Sequence, residues 1–220
     1  MPSYEKTPRN KVRRVAERGE YDKESVYSVV DDALICHVGF VVDGQPFVIP
    51  TIHARDGDTI LLHGAKASRM LKHLTAGEAV CITCTHLDAL VLARSVFHHS
   101  MNYRSAVIFG RGVIVDDPDE KMAGLLTMTE HLLPGRWDDA RSPSPKEMNA
   151  TTLIRVTIES ASAKRRVGPV GDEEEDYVLP VWAGLLPVKR TFGAPEDDDR
   201  LVDGVSVPKY LQDYHRASKR

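Results

Sequence analysis

Apolar positions recur along this chain with two periods, and the switches between them mark out its elements. Asp22 has the character of an N-cap, and Val26, Val29, Val30 and Ala33 follow it at helical spacing. Residues 34–42 are apolar on both faces, as in a strand covered from two sides. Asp43-Gly44 separates that run from residues 45–54, and Asp56-Gly57 separates those from residues 59–63. Asp-Gly between apolar runs predicts hairpins, because glycine accepts positive φ. The first half thus opens as a three-stranded antiparallel meander. Ala67, Met70, Leu71 and Leu74 then mark one face of a helix, closed by Gly77. Residues 79–87 and 89–94 read as two strands, and a polar stretch at 97–102 precedes another strand at 103–115. Asp117, Pro118 and Glu120 open a second helix as cap, first-turn proline and third-position acid, with Met122, Leu125, Leu126 and Thr129 on its inner face.

The Pro- and Ser-rich segment 134–150 reads as an excursion before a strand at 151–160. The acidic run 171–176 predicts a mobile loop, and residues 177–188 are apolar again around Trp182. Beyond residue 190 the chain is polar and acidic, with one short helix expected within 208–215. About six or seven strands with short peripheral helices make a β-dominated α+β pattern, whose simplest form is a closed or split barrel. Three segments follow: a basic N-terminal arm (1–20), a barrel domain (21–189) and a polar C-terminal tail (190–220). The arm reads as solvated, or as reaching over a partner subunit.

Composition narrows the function classes. The formal net charge of the 220 residues is -3, which gives no electrostatic case for nucleic acid as a partner. Three cysteines, an odd number without a framework, argue against a secreted disulfide scaffold. No apolar leader and no run near the ~20 residues of a membrane span is present, so the expectation is a cytoplasmic protein away from the membrane.

The strongest local signal is His63-Gly64-Ala65-Lys66-Ala67-Ser68-Arg69. A strand ends at glycine, and a helix begins with lysine, serine and arginine, a grouping suited to a phosphate. Solvated helix residues are the competing reading. The second signal is the run that holds His98, His99, Ser100, Asn102 and Tyr103, titratable or hydrogen-bonding groups just before a strand. Adjacent histidines on an extended chain point to opposite sides, so the pair does not share a metal, and no metal site is expected. Cys81 and Cys84 lie within a strand and face opposite ways, so they read as small core residues rather than a zinc or redox pair. The proline and threonine before His53 fit either a ligand interrupting a ladder or an edge strand. Trp182 reads as core or dimer interface, with stacking near a cofactor as the alternative.

Taken in order, CHVGFVVDGQPFVIPTIHARDGDTILLHGAKASRMLKHL, FHHSMNYRSAVIFGRGVIVDDPDEK and YVLPVWAGLLP resemble the pyridoxamine 5'-phosphate oxidase-related family, in the branch of nitroimidazole-resistance flavoproteins. The resemblance spans roughly residues 20–188. It implies an FMN-binding split β-barrel that works as a homodimer, with FMN at the two-fold interface. The strand holding Val48, Ile49, Pro50 and Thr51 would pass beside the isoalloxazine ring. Ser68 and Arg69 match the family's phosphate-binding positions, with Lys66, Gly64 and His63 beside them. His98, His99, Ser100, Asn102 and Tyr103 fall where the second subunit closes over the cofactor, and Trp182 matches a late aromatic close to the flavin. The Lys- and Arg-rich ending that true pyridoxamine phosphate oxidases use is not found, and Trp182 is followed by Ala183-Gly184-Leu185-Leu186-Pro187. The resemblance therefore does not extend to vitamin B6 oxidation. The implied activity is FMN-dependent reduction of a small organic substrate, nitro compounds included, with His99 and Tyr103 as proton donors of the right chemical type and no catalytic residue assigned. Two alternatives stand beside it: a non-catalytic flavin- or haem-binding module, and a reductase using the deazaflavin F420.

Overall fold

The computed structural model of the chain describes residues 2–212 and 214. In chain order the elements are β1 (Gly19–Glu20), α1 (Lys23–Asp32), β2 (Ile35–Val42), β3 (Gln45–Ile52), β4 (Ala54–Asp56), β5 (Thr59–Ala65), α2 (Arg69–Thr75), β6 (Ala79–Leu92), β7 (Ser100–Ile114), α3 (Pro118–Leu132), α4 (Arg136–Asp139), α5 (Pro145–Ala150), β8 (Thr151–Arg166), β9 (Gly184–Pro187) and α6 (Lys209–Gln212). One nine-stranded sheet runs β3-β2-β6-β7-β8-β5-β4, with β1 added on β8 and β9 on β6. The sheet curls into a half-barrel, the expected split-barrel fold.

Alternation explains the core. Along β6, Val80, Ile82 and Cys84 are buried while Cys81 and Thr83 are half-exposed, so the two cysteines face opposite ways as expected. These side chains join Val26, Val29 and Val30 of α1 and Leu71 and Leu74 of α2 in one apolar cluster. A smaller cluster of Ala54, Leu61, Val115, Met128 and Leu153 sits under α3.

The expected meander is only partly formed. Asp43 and Gly44 both take positive φ (51° and 77°), which turns β2 into β3 as a tight hairpin. The chain then breaks at His53, and β4 and β5 form a separate hairpin that pairs with β8. His53 causes the break: its ring is fully buried and Nε2 lies 3.1 Å from the Val30 carbonyl. That contact draws the chain off the β2 ladder and onto α1.

The two strands expected at 79–87 and 89–94 are one strand, β6, with a register shift between Leu87 and Ala89. The displaced residue, Asp88, is held by Arg104 of β7, which donates to both of its carboxylate oxygens at 2.9 and 3.0 Å. The same guanidinium donates to Asp32 at the end of α1 at 2.9 Å. A bulge here is thus a clamp between helix and sheet rather than a strand boundary.

The arm, expected to be solvated, packs against the barrel instead, and the tail meets the domain where Arg190 donates to the Asp32 carbonyl at 3.1 Å and the Tyr214 hydroxyl to the Leu132 carbonyl at 2.7 Å. Asn10 is buried and donates to the Glu5 and Ala161 carbonyls at 2.9 and 3.0 Å, and Tyr4 enters the core cluster. In the acidic run, Asp172 accepts from the backbone N–H groups of Arg94 and Ser95 and from the Arg94 guanidinium, so that segment is anchored at one residue. Of the apolar run 177–188, only Gly184–Pro187 becomes a strand. Of the helix expected within 208–215, Lys209–Gln212 forms, and residues 213 and 215 lie outside the described residues. Among the described residues no helix is long and apolar enough to cross a membrane.

Candidate functional site

Three places bring the candidate residues together. The first is a cavity of about 410 Å³ between the sheet and the segment 118–150, that is α3 with the excursion after it, walled by Ile52, His63, Leu125, Met128, Trp137 and Met148. Local chemistry explains why the excursion folds over the sheet. The Asp117 carboxylate caps α3 by accepting from the N–H groups of Asp119 and Glu120 at 3.0 and 2.9 Å. Gly124 lets that helix approach β8, since a Cβ there would stand 2.4 Å from Leu153 Cδ2. Gly135, at φ 85°, turns the chain back, and Glu130 accepts from the N–H groups of Gly135 and Trp137 at 2.7 and 3.1 Å. The tryptophan thereby reaches the cavity wall. Ser144 and Glu147 form a capping box on α5, and Arg141 donates to Glu147 at 2.7 and 3.0 Å where both side chains line the cavity.

His63, near the end of β5, is the titratable group in this apolar wall. It is half-buried, and burial holds its pKa below the ordinary imidazole range, so it is neutral at pH 7. Its Nδ1 is buried and has no hydrogen-bond partner among the described residues. Buried polar nitrogens are nearly always partnered. A neutral imidazole with a buried, unpartnered nitrogen beside an apolar cavity is suited to ligating a transition metal or accepting a proton from a bound molecule.

The second place is the turn that follows. Gly64 and Ala65 finish β5, the Ser68 N–H donates to the Ala65 carbonyl at 2.9 Å, and α2 begins at Arg69. The Arg69 guanidinium lies 4.4 Å from the centre of the Phe47 ring on β3. Lys66 is close enough to Lys121 to depress that lysine further, after burial, the larger cause. The turn is therefore cationic on both of its sides. Beside it, β3 forms one end of the sheet path, with Val48 63% and Ile49 39% exposed and Pro50 and Thr51 continuing the strand.

The third place lies at the other end of the sheet. His99 Nδ1 is 3.1 Å from the Ser95 carbonyl, and His98 is 3.5 Å from Glu173. Ser100 and Asn102 belong to β7 rather than to a polar stretch before it, and Tyr103 lies on the strand as expected. Asn102 is buried, donates to the Gly168 carbonyl at 3.0 Å and accepts from Arg166. Its amide is thus spent on holding the strand end. Trp182 is 67% exposed and precedes β9, whose Gly184 pairs with Leu92. Among the described residues no hydrogen bond, ion pair or ring contact joins this group to the His63 turn.

His63, Gly64, Lys66, Ser68 and Arg69 are thus one structural unit, which meets β3 through the contact of Arg69 with Phe47, next to Val48. The third group, from His98 to Trp182, is separate within one chain. Reading the sequence missed the cavity itself. Leu125 and Thr129 were placed on the inner face of their helix, but Trp137, Arg141 and Met148 sit in what reads as an excursion. The Ser144-x-x-Glu147 capping box, next to Pro143 and Pro145, is the signal that could have found an ordered wall there. Among the described residues no cluster of three or more histidines, cysteines and acids forms a metal site.

Residues 22–165 match the family described as Pyridoxamine 5'-phosphate oxidase. Among solved structures, the chain is similar to the flavocytochrome Anf3 from Azotobacter vinelandii, with 36% identity and a TM-score of 0.89 over 96% of this chain and 98% of that one. It is also similar to the FAD and haem binding protein from Mycobacterium smegmatis, with 31% identity and a TM-score of 0.84 over 88% and 95% of the two chains. A 5-nitroimidazole antibiotic resistance protein from Bacteroides thetaiotaomicron, so described from its structure, shares 25% identity and a TM-score of 0.57 over 66% and 84%. No curated protein matches the chain.

Proposed function

Because the chain belongs to the pyridoxamine 5'-phosphate oxidase family, we propose that it is a flavin-dependent oxidoreductase that also carries haem in the His63 cavity. The observation that carries the haem half is the His63 imidazole, without a partner at Nδ1 among the described residues, in the wall of a cavity of about 410 Å³. The His63 ring would hold the iron, and Leu125, Met128, Trp137 and Met148 would cover the macrocycle. Arg141, on the same wall, is the cation type that takes a haem carboxylate. The names of two relatives, a flavocytochrome and an FAD and haem binding protein, support this reading. When bound, the flavin supplies two-electron chemistry and the haem one-electron chemistry. The protein's residues hold both, keep His63 neutral and exclude water from its ring.

The flavin half rests on the turn. Lys66, Ser68 and Arg69 would hold the phosphate that FMN and FAD share, and the backbone of Val48–Thr51 would meet the ring edge. The reducible substrate would be a small organic acceptor. A second copy of the chain would cover the exposed apolar stretch of β3, since such an edge is prone to association. It would bring its own His98, His99, Ser100, Tyr103 and Trp182 over the flavin, the group that stands apart within one chain. The test is an absorption spectrum of protein purified after haem-replete expression, beside His63→Ala. Flavin bands with a Soret band, and loss of the Soret band alone in the variant, are the expected result. A Soret band that survives His63→Ala refutes the haem ligand, and a colourless protein that ignores added flavin refutes the flavin site.

A further inference from the structure

The N-terminal arm places its last arginine through a strained turn. Val15, a β-branched residue, takes φ 53° and ψ 60°, the left-handed region that such side chains avoid. Gly19 lets the turn close on itself, since a Cβ there would stand 2.8 Å from Val12 Cβ. Lys164 of β8 holds the turn by donating to the Arg14 carbonyl at 2.9 Å. Gly19 pairs with Lys164, which brings Arg18 to the end of β8, where Arg166 stands opposite Tyr103 of β7. The Arg166 guanidinium is itself fixed: it donates to the Asn102 side-chain oxygen and, at 3.2 Å, to the Pro169 carbonyl. Both arginines are half-buried, and the Arg18 charge is close enough to hold the Arg166 pKa down, after burial, the larger cause. Both stay charged at pH 7. Among the described residues neither has an ion-pair partner: Glu20 is taken by Arg165 at 2.8 Å, and Glu17 forms no ion pair.

Bringing two guanidinium groups together without an acid costs free energy, and so does the backbone of Val15. Strain of this kind persists where a function uses it. An oxyanion between the two groups would relieve their repulsion, and the guanidinium fork matches a carboxylate or a phosphate in shape. Arg166 is aimed by Asn102 and Pro169 before any ligand arrives, and the Arg18 side chain has no hydrogen bond among the described residues to give up. The position fits as well. On the reading proposed above, a second copy lays its Tyr103 over the flavin, so the arginine that faces Tyr103 arrives beside the same cofactor, with Arg18 next to it. We infer that Arg18 and Arg166 form an oxyanion subsite, and that the small organic acceptor carries a carboxylate or phosphate held there; the second half rests on the flavin reading above. Two cations of one copy would then fix the anionic end of the acceptor while its reducible end meets the flavin held by the other.

Calorimetric titration with inorganic phosphate at constant ionic strength reads the subsite without turnover. Arg18→Gln removes one of the two cations, and Arg13→Gln, exposed on the same arm, controls for net charge. Losing a bond between charged groups weakens binding by about tenfold or more, so Arg18→Gln should weaken phosphate binding by at least about tenfold and Arg13→Gln by less than about twofold. A second measurement compares nitrobenzene, 4-nitrobenzoate and 4-nitrophenyl phosphate as acceptors for the flavin-loaded protein. KM for at least one of the two anions should lie about tenfold or more below that for nitrobenzene, and Arg18→Gln should erase the advantage. Which anion gains more separates carboxylate from phosphate. Phosphate that does not bind the wild type, or that Arg13→Gln weakens as much as Arg18→Gln does, overturns the subsite. Equal KM values for the three acceptors overturn its role toward the acceptor, and so does loss of the flavin or Soret bands in Arg18→Gln, which would assign the cations to a cofactor. A protein that binds no flavin overturns the flavin reading and the acceptor's place with it, while the phosphate titration still decides the subsite.

Discussion

Replacing Arg104 with leucine tests how the bulge of β6 is held. The Arg104 side chain is 6% exposed and bridges Asp32, at 1%, and Asp88, at 25%. The two carboxylates come from α1 and the displaced residue of β6, so the guanidinium joins helix and sheet through a single group. Removing one partner of a buried pair leaves a desolvated charge behind and costs about 3–5 kcal/mol. For a chain of this size each kcal/mol moves Tm by about 2–4 °C, so Arg104→Leu should lower Tm by about 6–20 °C. Melting followed by circular dichroism on protein stripped of cofactors reads this without ligand binding to N obscuring it. Charge and packing are separable: Asp32→Asn in the Arg104→Leu background removes the stranded charge and should restore more than half of the loss. A loss below about 1 kcal/mol, the value of an exposed pair, would refute the clamp. Failure of the asparagine to restore stability would show that packing of the arginine stem, not charge, carries the effect.

Gly124→Ala puts a methyl group where Leu153 Cδ2 stands 2.4 Å away, so the buried Leu153 side chain or α3 itself must shift; stability should drop by about 1–3 kcal/mol by denaturant titration, and haem occupancy read from the Soret band should fall with it. Burial lowers the pKa of His63, so below about pH 6.5 the unfolded chain takes up a proton that the folded one refuses. Stability of the cofactor-free protein should therefore fall as pH drops from 7 to 5.5, and His63→Ala should flatten that slope. Val48→Asp, at a position 63% exposed on β3, should convert the proposed dimer to monomer in sedimentation velocity without lowering stability by more than about 0.5 kcal/mol, the usual range for an exposed site.

What sequence reading recovered, it recovered through local rules. Asp43-Gly44, the Asp22 and Asp117 caps and the alternation of 79–84 are decided within a few residues, and each forms as expected. The failures fall where a partner distant in the chain decides. His53 breaks the meander because its ring meets the Val30 carbonyl, 23 residues earlier. Asp88 looks like a strand boundary because Arg104, its partner, lies on the next strand. The acidic run reads as loose because a charge pattern does not reveal that Asp172 meets two backbone N–H groups 77 and 78 residues away. At the candidate site the cationic turn is legible in the sequence, since its serine and cations are neighbours in the chain. The cavity is not, because His63 and the residues that cover it are joined only when α3 folds back over β5 and β8.

That fold-back bears on how the two proposed cofactors are related. His63 and the Lys66–Arg69 turn belong to one uninterrupted stretch of seven residues, and only Gly64 and Ala65 separate the histidine from the first cation. Successive side chains of a strand point to opposite faces, so the end of β5 can serve a cavity on one side and a turn on the other. Gly64 is the pivot: its backbone pairs with Thr152, and a Cβ there would come 3.2 Å from Leu71 Cδ1 on α2. A side chain at that position therefore presses on the helix whose first residue is Arg69 and also displaces the strand that carries His63. On the proposed reading the haem and flavin sites are mechanically one segment. A substitution at Gly64 should then weaken both cofactors together, whereas His63→Ala should remove the Soret band and leave the flavin bands.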